Sequence, residues 1–78
     1  MPPSPHRHQP LTLEEQAVLA ASATGLAPRE IAKRLGYSSE EIRRHLRSAI
    51  AKLGARSKLE AVVIALREGL INLPEHHA

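Results

Sequence analysis

Hydrophobic and polar positions divide the chain into four helical stretches between two polar ends. Thr12 is followed three residues later by Glu15, a T-x-x-E capping box, and the helix it opens runs through Val18 and Leu19 to about Ala23, where Gly25 supplies a left-handed stop. Pro28 suits the first position of a second helix, because the N–H it lacks would be unpaired there anyway. That helix spans Pro28 to Leu35, with Ile31, Ala32 and Leu35 on one face and Gly36 at its end. Ser38 and Glu41 form a second box, opening a helix over residues 39–53 that Gly54 terminates. Ser57 and Glu60 form a third, for a helix over 57–68 that stops at Gly69. Nowhere does the pattern alternate with the period of a strand. The expectation is an all-α, four-helix (tetrahelical) domain of helix-turn-helix type over residues 11–71. A disordered, proline-rich arm (1–10) precedes it and a flexible tail (72–78) follows it.

Seventy-eight residues allow one domain and one core. A chain this short buries only ~60% of the surface it exposes when unfolded. With Tyr37 as its single aromatic residue, the core must be Leu, Ile, Val and Ala, which suits closely spaced helices. The absence of cysteine excludes disulfides and thiolate metal sites and fits a reducing, cytoplasmic setting. Apolar runs such as Ala61 to Leu66 fall far short of the ~20 residues of a membrane span, and no basic stretch followed by an apolar one opens the chain as a signal peptide would. No nucleophile stands in a strand–turn context and there is no glycine-rich phosphate loop, so an enzyme is not expected. His6, Arg7 and His8 in the arm and His76 and His77 in the tail lack a preorganised third ligand, so neither metal nor cofactor is expected.

Charge is unevenly spread. Nine of the eleven basic residues lie between Arg29 and Lys58 against three glutamates, a net +6, whereas the remainder of the chain carries −3. Such asymmetry suits a polyanion partner, or simply solvated helix faces. The helix over 39–53 separates these alternatives. At 100° per residue, Ile42, Leu46, Ala49 and Leu53 form one inward stripe with Ile50 at its edge, while Arg43, Arg44, Arg47, Ser48 and Ala51 fall on the other side. Arginine presents a planar fork of donors that matches guanine O6 and N7, and small residues let a helix approach the floor of a groove. With the short helix before it and the Gly36-Tyr37 turn, this makes a helix-turn-helix whose second helix would enter the major groove. The negative charges of this helix, Glu40 and Glu41, both sit in its first turn, where the helix dipole favours them.

The fragments Leu11-Thr12-x-x-Glu15-x-x-Val18-Leu19 and Gly25-Leu26-x-x-x-Glu30-Ile31-Ala32-x-x-Leu35 resemble the C-terminal DNA-binding domain of the LuxR/NarL/FixJ transcription regulators. So do Ser38-x-x-x-Ile42-Arg43-x-His45, Lys52-Leu53-Gly54 and Lys58-x-x-Ala61-Val62, in the same order and spacing. The likeness covers residues 11–71. It implies a four-helix domain that binds promoter DNA as a dimer, the third helix in the major groove and the fourth supplying the dimer contact. By position it implies base or phosphate contact for Arg43, with Arg44 and Arg47 beside it. It implies phosphate contact for Arg29, positions beside the backbone for Lys52 and Lys58, and either packing or backbone contact for His45. Four positions depart from the family pattern: Glu41 replaces a common threonine, Ala27-Pro28 a Ser-Asn pair, and Glu14 an arginine.

Ala61, Val62 and Ala65 match the family's inward positions on the fourth helix. This leaves Leu59, Val63, Leu66 and Leu70 as the apolar surface for a second copy, unless the chain after Gly69 folds back over it. The expected function is sequence-specific binding of double-stranded DNA by a bacterial transcription regulator, either stand-alone or excised from a longer chain. Its expected partners are promoter DNA, a second copy and RNA polymerase, with no membrane; its expected place is the cytoplasm, at the nucleoid. Two alternatives stay open: a domain like region 4 of a sigma factor, and a helical protein-interaction module that titrates another regulator. The segment from Ser57 to Gly69 speaks against the first, and Glu41 with Ala27-Pro28 speaks for the second.

Overall fold

Local chemistry sets the helix ends. The computed structural model describes residues 10–72, and apart from Pro10 and Asn72 the expected arm and tail lie outside it. It contains α1 (Leu13–Ala23), α2 (Pro28–Leu35), α3 (Ser39–Lys52) and α4 (Lys58–Arg67). At the start of α1, Thr12 Oγ1 accepts from the Glu15 N–H at 3.0 Å and Glu15 Oε1 accepts from the Thr12 N–H at 2.9 Å. Ser38 and Glu41 repeat this reciprocal pair before α3, at 3.1 and 2.9 Å. The third capping box forms by half. Ser57 Oγ accepts from the Glu60 N–H at 3.1 Å, but the Glu60 carboxylate accepts from the Arg56 N–H at 2.6 Å instead of from Ser57. Ser57 has φ −155°, against −72° at Thr12 and −81° at Ser38, and this rotation about N–Cα swings its N–H away from the carboxylate. Leu53 and Glu68, expected inside helices, are cap residues here.

The four helices close around one aliphatic core. Val18 and Leu19 of α1, Ile31 and Ala32 of α2, Ile42, Leu46 and Ala49 of α3, and Ala61, Val62 and Ala65 of α4 are buried with Leu53, while Leu11 and Ile71 seal it from outside the helices. Each large aliphatic side chain taken from water contributes ~1.5–3 kcal/mol. Ala49, Ala61 and Ala65 are fully buried, so the helices approach closely where they face one another. The third helix packs against both α1 and α2, and α4 rests on α1 and α3, which makes α3 the element whose pose the whole domain determines. Leu35, expected on the inner face of α2, is instead 37% exposed. It is the last residue of its helix, and the chain turns away immediately after it.

Two turns orient α3. Gly36 takes φ +79°, a left-handed conformation that strains residues with a side chain, and the Tyr37 N–H folds back onto the Ala32 carbonyl at 3.0 Å. At the other end Gly54 has φ +66°, its N–H donating to Ala51 O at 3.1 Å and the Ala55 N–H to Ile50 O at 3.0 Å. Beyond α4 the Leu70 N–H donates to Ala65 O at 2.8 Å, which carries Ile71 into the core. The chain after Gly69 therefore covers part of α4: Leu66 and Leu70 are half-buried against the core, whereas Leu59 and Val63 remain exposed.

Candidate nucleic-acid interface

The inward stripe of α3 is buried as the periodicity requires, and its opposite side faces solvent. Arg43, Arg44 and Arg47 are exposed on that side, as is Ala51, and none of the three arginines forms a hydrogen bond or ion pair among the described residues. Arg29 is exposed in the first turn of α2, and Lys58 at the first position of α4. Lys33, Arg34 and Arg56 are exposed as well; they were counted in the basic stretch of the sequence but had no spacing that singled them out. The N-cap of the second helix, Ala27, makes no side-chain hydrogen bond, and Ala27-Pro28 brings no hydroxyl or side-chain amide to this surface.

One flank of α3 is used within the molecule. His45, Ser48 and Lys52 follow one another at spacings of three and four and so share a side of the helix. The His45 ring is half-buried against Tyr37, with centroids 5.5 Å apart and planes tilted by 60°, so it braces the turn between α2 and α3. Ser48 was expected on the outer face, but its hydroxyl donates to Glu15 Oε2 at 2.6 Å. Lys52 was expected beside the DNA backbone, yet its ammonium pairs with Glu15 Oε1 at 2.9 Å and donates to Pro10 O at 3.3 Å. The reason is tertiary: α1 lies along this flank and presents a carboxylate to it.

Glu15 is the residue whose weight the sequence concealed. It is 3% exposed, and one carboxylate receives the Thr12 N–H, the Ser48 hydroxyl and the Lys52 ammonium. Burial pushes its carboxyl up, but the hydrogen bonds from Ser48, Thr12 and Lys52, with the charge of Lys52, outweigh burial and hold it below its ordinary value. The T-x-x-E box already explained a glutamate at this position, so no local signal was left to announce its second role. Glu41 is settled by the same kind of bond. Its carboxylate accepts from the Ser38 N–H, and this bond, with the Ser38 hydroxyl and the fields of Arg44 and His45, outweighs desolvation and lowers its carboxyl. The capping box thus turns Glu41 back toward the helix start.

Among the described residues no cluster of three or more His, Asp or Glu could hold a metal, and no helix is long and apolar enough to cross a membrane. The paired histidines of the arm and tail lie outside the described residues.

A short helix, a tight glycine turn and a longer helix with an apolar underside and a cationic outer face define a helix-turn-helix domain of the DNA-binding class. Residues 9–65 match the model of the family described as bacterial regulatory proteins, luxR family, and the chain belongs to that family. It is 43% identical over 63 residues to the transcriptional regulatory protein YdfI of Bacillus subtilis (strain 168), a match that covers 81% of this chain and 30% of YdfI. It is 35% identical over 63 residues to the spore germination protein GerE of the same organism, covering 81% of this chain and 85% of GerE. A solved structure of the transcription factor GerE superposes with a TM-score of 0.79 at 26% identity, over 85% of this chain and 98% of that one. The chain thus spans under a third of YdfI and most of GerE. The family is one of transcription regulators, not of enzymes.

Proposed function

We propose that the chain binds double-stranded promoter DNA at specific sequences, with α3 lying in the major groove. The observation that carries this is the outer face of α3: three exposed arginines that form no hydrogen bond or ion pair among the described residues, on a helix whose other sides are held by the core and by Glu15. Arg43, Arg44 and Arg47 would meet base edges, where a guanidinium can bond O6 and N7 of guanine together. Arg29 and Lys58, at the starts of α2 and α4, would meet phosphates on either side and fix the register of the helix. Ala51 leaves room for the groove floor. Ser48, Lys52 and His45 serve this reading by holding α3 in place.

Two copies would pair through Leu59 and Val63, which are 73% and 42% exposed on α4. Exposed aliphatic side chains on so small a domain favour a second apolar surface. A two-fold dimer would read half-sites separated by about one turn of the duplex, ~34 Å. Bound in the cytoplasm at a promoter, it would stand beside RNA polymerase.

The deciding experiment is a salt titration on duplex DNA. Log affinity should fall linearly with log salt, by about 0.9 for each phosphate neutralised. Arg47→Ala should cost ~1–3 kcal/mol and relax the preference at one base pair. Affinity indifferent both to salt and to Arg47 would favour the protein-interaction module.

A further inference from the structure

The outer face of α3 is not purely cationic. Glu40 stands in its first turn, and the spacings from Glu40 to Arg44, Arg47 and Ala51 are four, three and four, which puts it on the same outward stripe as the arginines. Its neighbour Glu41 is occupied by the Ser38 N–H. Glu40 is exposed and makes no hydrogen bond or ion pair among the described residues, although Arg43 and Arg44 stand at the three- and four-residue spacings where such pairs form on helices. The helix dipole accounts for an acidic residue in this turn. It does not account for a carboxylate at the leading end of a surface suited to a polyanion, where every approaching phosphate repels it.

A base edge resolves that conflict. A carboxylate can only accept hydrogen bonds, and in the major groove the donors are the amino groups of cytosine N4 and adenine N6, of which a glutamate suits cytosine. Guanine O6 and N7 and thymine O4 are acceptors and would be repelled. The N-terminal residues of a groove-bound helix are the ones that reach base edges, and Glu40 is the second residue of α3. We propose that Glu40 is a specificity-determining residue, which selects cytosine at one position of the half-site by accepting a hydrogen bond from its N4 amino group and disfavours guanine and thymine there. This rests on the DNA-binding function proposed above.

The test is a selection from a random double-stranded DNA library with the purified chain, Glu40→Ala and Glu40→Gln, each first shown to melt as a folded helical domain. The parent should enrich one cytosine next to the guanine-rich positions of the arginines, and replacing that cytosine should weaken binding roughly 5- to 100-fold. Glu40→Ala should lose that one preference while its affinity for unrelated duplex rises, because a negative charge has left the face. Glu40→Gln should move the preference to adenine, whose N6 and N7 a glutamine bonds together. An unchanged motif from both variants would overturn the proposal alone, as would a loss of preference at every position, which marks a structural role. A parent chain that enriches no motif would overturn the DNA reading and this proposal with it.

Discussion

Glu15 on α1 and Lys52 on α3 lie 37 residues apart in the chain and meet at 2.9 Å, with the Ser48 hydroxyl on the other oxygen of the same carboxylate. This polar clasp is what sets the rotation of α3 about its own axis. The apolar stripe alone would tolerate some roll of the helix; two directed hydrogen bonds from α3 to one buried carboxylate restrict it. Glu15→Ala leaves Ser48 and Lys52 without their acceptor and removes the Thr12 N–H half of the capping box of α1, and should lower stability by about 2 kcal/mol in urea denaturation. Loss of this size from Glu15→Ala with an unchanged midpoint in Ser48→Ala would show that the cap, not the clasp, accounts for it.

Acid should weaken the clasp before the core. The Glu15 carboxyl is lowered in the folded chain from an ordinary value of 4.5, so the folded state binds its proton more weakly than the unfolded state. Its contribution is complete above pH ~4.5 and disappears as pH falls through the lowered folded value. Denaturation curves between pH 3 and 7 should therefore show a decline toward acid that is shallower in Glu15→Gln, which has no proton to gain there. Equal declines in the two proteins would assign the acid sensitivity to other groups.

Lys52 and Lys58 match the same kind of basic position in sequence, yet the fold separates them. Lys52→Ala should lower the denaturation midpoint and leave the salt dependence of DNA binding nearly as it was, because its charge is spent on Glu15. Lys58→Ala, at an exposed helix start, should leave stability within about 0.5 kcal/mol and reduce the salt slope by about 1. Paired melting and binding measurements on both variants check this directly.

The face of α4 divides in the same way. Val63→Glu should weaken binding to paired half-sites much more than to a single one, with little change in melting, because Val63 is already exposed. Leu66→Glu should instead destabilise the monomer by several kcal/mol, since it places a charge among the half-buried side chains that pack on the core. Equal loss on single and paired sites for Val63→Glu would rule out α4 as the pairing surface.

Gly36 has open space around it, so any cost of substitution there comes from the backbone alone. At φ +79°, Gly36→Ala should cost ~1–2 kcal/mol, and Gly36→Asn less, since asparagine tolerates the left-handed region better. Similar melting points for all three chains would mean that the turn relaxes to a different path.

The number of helices, their order and nearly all their ends were legible from the residues alone, because capping hydroxyls, prolines and left-handed glycines act on backbone groups a few residues away. So was the inward stripe of α3, since Ile42, Leu46, Ala49 and Leu53 have only one side of a helix on which to lie together. The fragments that mark the family were equally legible, being short and in fixed order. The fate of the flanks was not. On a helical wheel Ser48 and Lys52 look like solvent positions, and only the placement of α1 beside α3 turns them to Glu15. Leu35 looked buried and Leu66 looked free for the converse reason: whether a neighbour covers a side chain depends on where chain turns such as those at Gly36 and Gly69 lead. Periodicity reports which side of a helix is apolar, but not which second element lies against its edges, and that is settled only when distant parts of the chain pack.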